Sequence, residues 1–274
     1  MRNKEIWDIY KSRFKEIEKY YQRLVHNFKE DDIHSFRVQI KKLDAFIRLV
    51  NLSGTLQKHK IPKSIRKFYR LLGNIRNLQL NQERISRLVS DLSIKNPSSY
   101  LQYLHNDEDS KRIKALRLAK RSSFKKLEKQ LVEDVPTELP GQAKDAFIEK
   151  TKSRLVQLFT LPVLFDDTLH DVRKIVKDLV YNYQYVEPSG SNIIPPVLTG
   201  LKSMKKLTEV LGDFHDLCVA IFFIDRAMGN HFVEQNEKTI LAELKDHFLV
   251  RKQNMMDEIV QSFAPIKQGQ VTTS

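Results

Sequence analysis

Residues 33–50 of the chain read Ile33-His34-Ser35-Phe36-Arg37-Val38-Gln39-Ile40-Lys41-Lys42-Leu43-Asp44-Ala45-Phe46-Ile47-Arg48-Leu49-Val50. At about 100° per residue, the apolar side chains of this segment fall on one side of a helix and most of its basic side chains on the other. The basic side carries His34, Arg37, Lys41 and Arg48. The segment therefore predicts a helix that packs into a core through one face and presents a line of cations on the opposite face.

A second segment repeats this pattern 136 positions later. It reads Leu169-His170-Asp171-Val172-Arg173-Lys174-Ile175-Val176-Lys177-Asp178-Leu179, with the same spacing of His, Arg and Lys. The Leu72-Gly73 segment returns as Leu211-Gly212 at an offset of 139. Because recurrence of several segments at nearly one offset is typical of internal repeats, we predict a duplication.

The composition predicts a helical and strongly basic protein. The 274 residues include 8 Gly and 9 Pro, and few stretches alternate with the period of two that strands require. The net charge of +13 and the pI near 9.6 favour a polyanionic partner or an anionic surface. Cys218 has no second cysteine with which to pair, which indicates a reducing, cytoplasmic setting. We expect neither a signal peptide nor a membrane span.

The predicted fold class is all-α, with two four-helix bundles whose basic faces line a shared central cavity. We assign residues 1–135 to the first half, 136–141 to a linker marked by proline and glycine, 142–266 to the second half and 267–274 to a disordered tail. In the first half we also expect a short helical piece near Tyr100, a turn at Asn106-Asp107 and a basic helix over 110–133. The pairs Asp31-Asp32 and Asp166-Asp167 are expected to cap the two histidine-bearing helices.

Further lines of basic residues recur at helical spacing with few acidic partners four residues on. They are Lys63, Arg66 and Arg70; Lys114, Arg117, Arg121 and Lys125; and His170, Arg173 and Lys177, with a weaker line at Lys202 and Lys205. Because uncompensated charge of this density lowers stability unless an anion binds, we predict a polyanion-binding surface. Glu209 and Asp216 share the face of the weaker line, so we expect the first half to bind more strongly.

The two repeated histidines have basic neighbours instead of metal ligands. Arg and Lys beside His34 and His170 repel a metal cation and lower a histidine pKa, whereas a bound anion would reverse that effect. The sequence has no Gly-rich phosphate loop, His-Glu-x-x-His, Cys cluster or Gly-x-Ser-x-Gly. We therefore expect a binding protein without a cofactor or metal, in which each histidine donates to phosphate.

Two alternative functions stay open at this point. One is a metal-dependent phosphohydrolase or phosphohistidine phosphotransferase, in which His34 or His170 is phosphorylated and the Asp pairs hold metal. The other is a non-specific nucleic-acid binder. The second is disfavoured because most phenylalanines occupy apolar positions, leaving few aromatics to stack on bases, and because no helix-turn-helix or zinc-finger spacing occurs.

The repeated His-x-x-Arg-x-x-x-Lys, followed in each half by a basic helix and a Leu-Gly segment, resembles the CHAD domain, the conserved histidine α-helical domain. The resemblance runs from about Lys4 to Phe263. It implies two four-helix bundles related by a pseudo-twofold axis around a basic central cavity. It also implies a module that binds inorganic polyphosphate and is sometimes targeted to polyphosphate granules.

The family's cation-bearing positions fall on His34, Arg37, Lys41 and Lys42 and on His170, Arg173, Lys177 and Tyr181. Asp44 and Val180 stand where the family often has Arg, and Asn77 and Gln79 where it often has Asp. Combined with the basic lines, the expected polyphosphate-binding residues are His34, Arg37, Lys41, Lys42, Arg48, Lys63, Arg66, Arg70, Arg76, Lys114, Arg117, Arg121, His170, Arg173, Lys177, Tyr181, Lys202, Lys205, Lys206 and Arg251.

Overall fold

The structure, a computed structural model, describes residues 1, 3–52, 60–120, 138–186, 198, 200–229, 231 and 233–263. This part of the chain contains eight helices and no β-strand, so the predicted all-α class is confirmed. In chain order they are α1 (Asn3–His26), α2 (Glu30–Val50), α3 (Lys63–Leu92), α4 (Ser98–Lys120), α5 (Gly141–Phe159), α6 (Asp166–Val186), α7 (Gly200–Met228) and α8 (Gln235–Ser262). None of these helices combines the length and apolarity needed to cross a bilayer.

Helix α2 buries the face that its sequence period predicts. Ile33, Phe36, Ile40 and Leu43 are at most 3% exposed, and they pack into the core. Acidic residues occupy the first turn of α2, where they complement the positive end of the helix dipole. The expectation that Asp31-Asp32 forms the cap is wrong, because the N-cap residue is Lys29 and it makes no side-chain cap hydrogen bond.

Helix α4 is continuous, so the predicted turn at Asn106-Asp107 is wrong. Asn and Asp favour turns in isolation, but here side-chain pairs four residues apart span the region and stabilise the helix. These pairs join Gln102 to Asn106, His105 to Asp109, Asp107 to Lys111 and Glu108 to Arg112. The expected continuation of this helix to residue 133 lies outside the described residues.

The end of the predicted linker is fixed to the start of the chain. Met1 and Leu139 exchange two main-chain hydrogen bonds of 3.0 and 2.9 Å, and Leu139 is buried. The boundaries at 135, 136–141 and 266 stay predictions, and the proposed tail at 267–274 lies outside the described residues.

In the described part of the chain the core consists of two hydrophobic clusters, and each contains residues from both predicted halves. The larger cluster joins α1, α2, α5 and α6 with the beginnings of α3 and α7 and the ends of α4 and α8. The smaller cluster joins the later parts of α3 and α7 with the beginnings of α4 and α8. Helix α2 packs on α6, and the fully buried Asn182 of α6 donates from Nδ2 to the carbonyl oxygen of Ala45 in α2 at 2.9 Å. This contact brings the two histidine-bearing helices side by side.

Candidate functional site

Four basic side chains lie together where α2 packs on α6. We call Arg37, Lys41, Arg173 and Lys177 the central cluster; all four are partly buried. Burial, together with the charges of Lys177, Arg37 and Arg173, lowers the pKa of Lys41 to about 7. Burial and the charges of Arg173 and Arg37 lower the pKa of Lys177 to about 8. The cations of the two helices therefore act on one another, which is the convergence that the repeated motif predicts.

Arg37 lies against two residues of α3, Tyr69 and Gly73. Its Nη1 donates to the carbonyl oxygen of Tyr69 at 3.0 Å, and its guanidinium lies 4.6 Å from the centre of the Tyr69 ring. Gly73, one turn further along α3, provides the space: a Cβ built there would lie 3.1 Å from Cζ of Arg37 and closer still to Nη1. The Leu-Gly segment of the sequence thus has a structural reason, because a larger residue would displace the arginine.

The second Leu-Gly segment lies beside the second arginine. A Cβ built on Gly212 would be 3.9 Å from both Nε and Nη2 of Arg173, which is ordinary van der Waals contact. The arrangement of Arg173 and Gly212 thus parallels that of Arg37 and Gly73, with more room. This parallel is consistent with the predicted duplication, which stays a prediction.

The three histidines near the central cluster have lowered pKa values. At the exposed start of α2, partial loss of hydration, followed by the charges of Arg76 and Lys41, lowers the pKa of His34. Burial and the charges of Lys174 and Arg173 lower that of His170. Burial and the charge of Arg173 lower that of His215 to about 4. At neutral pH each ring is therefore uncharged, with one N–H donor and one lone pair.

His215 is a site residue that the sequence analysis did not propose. Its ring stacks on that of His170 with centroids 4.6 Å apart, and Nδ1 of His170 has no hydrogen-bond partner in the described part of the chain. The signal was present, because the Leu-Gly recurrence aligns His215 with Arg76. Arg76 lies near His34 as His215 lies near His170.

Two of the expected phosphate-binding arginines are paired with carboxylates. Arg48 donates from Nε and Nη2 to the two carboxylate oxygens of Asp178 at 2.7 and 2.5 Å, and it also pairs with Asp44. Arg76 donates from Nη1 to Oε2 of Glu30 at 2.7 Å. The charge of Arg48 is thus matched at the contact between α2 and α6.

The other expected residues lie around the central cluster or away from it. Tyr181 is close to it, because Arg173 and Tyr69 both influence its pKa, which burial raises. Lys42 is turned toward α1, since burial and then the charge of Arg13 lower its pKa. Nine cations are exposed and have no ion pair to another described residue: Lys63, Arg66, Arg70, Lys114, Arg117, Lys202, Lys205, Lys206 and Arg251. Arg121 lies outside the described residues.

The described residues contain no group of three or more His, Cys, Asp or Glu side chains arranged to hold a metal ion. The central cavity of the predicted fold is not established by the convergence of the cations and stays a prediction.

Comparison with known proteins identifies a family and a similar fold. The family model of the CHAD domain matches residues 8–225. The crystal structure of the CHAD domain from the plant Ricinus communis is similar, with a TM-score of 0.72 and 14% sequence identity, covering 97% of this chain and 91% of that one. At this identity the likeness shows the fold alone. A comparison of this chain with curated proteins found no match.

Proposed function

The chain belongs to the CHAD domain family, whose members are generally binding modules, and on this premise we propose that it binds inorganic polyphosphate. The observation that best supports the proposal is the grouping of basic side chains in the central cluster. The charges of Arg37 and Arg173 lower the pKa of both Lys41 and Lys177, and among the described residues Asp216 is the one carboxylate that opposes this effect. A site of this kind is stabilised when an anion binds.

The form of the site favours a ligand made of phosphate alone. A single-stranded nucleic acid binds by stacking its bases on aromatic faces. One face of Tyr69, an aromatic residue beside the central cluster, is covered by the guanidinium of Arg37 at 4.6 Å. Guanidinium groups such as those of Arg37 and Arg173 can each contact two phosphate oxygens, and neutral His34, His170 and His215 each offer an N–H donor.

The proposed binding surface also includes exposed cations outside the central cluster. Basic residues of the first turns of α3 and of the last turns of α4, which make no ion pair to another described residue, would attract a long polyanion toward the central cluster by their field. They are Lys63, Arg66, Arg70, Lys114 and Arg117. We propose that the protein acts without catalysing a reaction, that it is cytoplasmic and that it associates with polyphosphate granules.

A titration of labelled long-chain polyphosphate at two salt concentrations tests this function. Binding by counter-ion release predicts a steep loss of affinity between about 50 and 200 mM salt. The central variant is Lys41→Gln with Lys177→Gln, and the matched control, which also removes two charges, is Lys95→Gln with Lys150→Gln at exposed positions outside the central cluster. We expect the central variant to lose affinity at least tenfold and the control to bind as the parent protein does.

Three outcomes would contradict the proposal. The first is absence of polyphosphate binding, and the second is an equal effect of the central variant and the control. The third is displacement of polyphosphate by duplex or single-stranded nucleic acid at equal phosphate concentration, which would favour the nucleic-acid alternative. Release of phosphate from polyphosphate or ATP in the presence of Mg²⁺ would instead support the enzymatic alternative.

A further inference from the structure

A cavity of about 640 Å³ lies between α3, α4, α6 and α7. One face of α7, from Leu211 to Arg226, forms its longest wall. At 1.5 Å per residue this wall extends about 22 Å, so the cavity is an elongated groove. Its volume is within the range of about 300–1,000 Å³ that small-molecule sites occupy.

The two ends of the groove differ in chemistry. At one end His170 and His215 stack, and Nδ1 of His170 is buried without a hydrogen-bond partner in the described residues. This end adjoins the central cluster, because the charges of Arg173 and Lys41 act on His215. Phe222 and Arg226 lie on successive turns of α7 at the other end.

The wall between the ends is apolar. Phe214, Val219 and Phe223 line it, and Phe222 at the rim is 61% exposed. The Phe222 ring packs edge-on against Phe223, with ring centroids 5.9 Å apart, so the exposed ring continues the apolar wall instead of standing alone on the surface. Polyphosphate gains nothing from such a wall, so the groove suits a ligand with an aromatic part as well as phosphate.

We propose that this groove binds a nucleoside triphosphate as its magnesium complex. The base stacks on Phe222 near Arg226, and the phosphates reach the N–H groups of His170 and His215. The phosphate end of this groove shares His170 and His215 with the proposed polyphosphate site, whereas its aromatic wall lies outside that site, so binding through the base does not rest on the proposed function.

The carboxylates at the imidazole end determine the form of the ligand. Asp166 and Asp167 line the groove one turn before His170. Asp166 is paired with Lys252 at 2.6 Å, whereas Asp167 is exposed and close enough to raise the pKa of His170 against the larger effect of burial. Repulsion by these carboxylates disfavours a bare triphosphate, and a magnesium ion on the phosphates removes that repulsion.

Calorimetric titration of the full chain with ATP, GTP, adenosine and tripolyphosphate, each with excess Mg²⁺, tests the inference. We expect ATP or GTP to bind at least fivefold more tightly than tripolyphosphate, since one base–aromatic stack contributes at least that factor. Removing Mg²⁺ with EDTA should weaken nucleotide binding severalfold. Adenosine should bind only weakly, because it lacks the phosphates.

The decisive variant is Phe222→Ala, and Phe165→Ala is its control. Both phenylalanines are exposed, at 61% and 66%, but Phe165 does not line the groove. We expect Phe222→Ala to weaken nucleotide binding about fivefold or more while leaving tripolyphosphate binding and the melting temperature unchanged. Phe165→Ala should change none of these.

A second measurement does not depend on any variant. Saturation-transfer NMR should show transfer from the protein to the base protons of bound ATP. The inference is overturned if tripolyphosphate binds as tightly as ATP, if the two phenylalanine variants behave alike, or if the base protons receive no saturation. Loss of long-chain polyphosphate binding in the Lys41→Gln, Lys177→Gln variant tests the proposed function alone.

Discussion

Arg37 of α2 occupies the space that a side chain at Gly73 of α3 would fill. A Cβ on Gly73 would lie 3.1 Å from Cζ of Arg37 and closer to Nη1, the atom that donates to the Tyr69 carbonyl. The group in the way is the far end of a flexible side chain, so substitution at Gly73 displaces the arginine and leaves the backbone in place. The position of Arg37 in the central cluster thus depends on residue 73 being glycine, which has no side chain.

We predict that Gly73→Ala folds but binds polyphosphate severalfold more weakly than the parent protein. Alanine favours a helix over glycine by about 1 kcal/mol, which offsets the displacement of Arg37 in the free energy of unfolding. Gly212→Ala is the matched control, because its Cβ meets Arg173 only at 3.9 Å. It should raise the melting temperature and preserve affinity. Equal affinities of the two variants would contradict the positioning role of Gly73.

The second prediction is that polyphosphate binding takes up protons near pH 8. The pKa values of Lys41 and Lys177, about 7 and 8, leave both amines partly neutral there, and a bound anion raises those values. The groups facing them are Arg37, Arg173, His34, His215 and Asp216. The histidines, whose pKa values are lowered, stay neutral in this pH range.

Calorimetry in buffers of different ionisation enthalpy measures this proton uptake. We expect uptake near pH 8 in the parent protein, less uptake in the Lys41→Gln, Lys177→Gln variant, and a fall in affinity as the pH rises from 7 toward 9. Because the folded pKa values lie below the unfolded value of 10.5, this pair makes the ligand-free protein more stable as the pH rises from about 7 to 10.5. Binding without net proton uptake at pH 8 would contradict the prediction.

The buried face of α2 could be predicted from the sequence because side chains three and four residues apart share one side of a helix. Phe36 and Ile40 are buried as that period requires. The same period cannot separate Arg37 from Arg48, since both lie on the basic side. Their difference arises from Asp44, four residues before Arg48, and from Asp178, 130 residues away, both of which pair with Arg48. Pairs between residues so distant along the chain depend on how the helices pack, and the helical period of one segment does not predict that packing.

The turn preference of single residues can also be outweighed by side-chain pairs four residues apart in the sequence. Asn106 and Asp107 favour a turn in isolation, yet Gln102 and Lys111 hold them in α4 from positions four residues away. His215 is difficult to predict as a site residue because it aligns with Arg76 in the repeat, and the change from Arg to His hides this correspondence. The position of His215 in the repeat, and not its residue type, marks it as the counterpart of Arg76.

The third prediction is that Lys177→Met stabilises the protein and weakens its binding. Methionine has an apolar side chain of about the same length as lysine. The substitution removes the positive charge that Arg173 and Arg37 repel. We expect the melting temperature to rise by about 2 °C or more and the slope of log affinity against log salt to become shallower by about one phosphate contact. Lys174→Met is the control on the same helix, since Lys174 is exposed and pairs with Asp171 at 2.9 Å. A lower melting temperature for Lys177→Met would contradict the repulsion on which the site depends.

The fourth prediction assigns Arg48 to stability instead of ligand binding. Asp178→Asn removes one side of the paired contact between Arg48 and Asp178, whose side chains are 46% and 20% exposed. Because one partner is largely buried, we expect a loss of about 1–2 kcal/mol in the free energy of unfolding. Asp171→Asn breaks an exposed pair with Lys174 and should cost less than about 1 kcal/mol.

Denaturant unfolding measures both losses, and a polyphosphate titration of the Arg48→Gln, Asp178→Asn variant completes the test. With its charge already matched by Asp178 and Asp44, Arg48 contributes little to the field that a polyanion meets. Removing Arg48 together with Asp178, which leaves the net charge of this contact unchanged, should therefore change the affinity less than twofold. An affinity loss as large as that of Lys177→Met would mean that the carboxylates release Arg48 when the ligand binds, and would return it to the set of phosphate-binding residues.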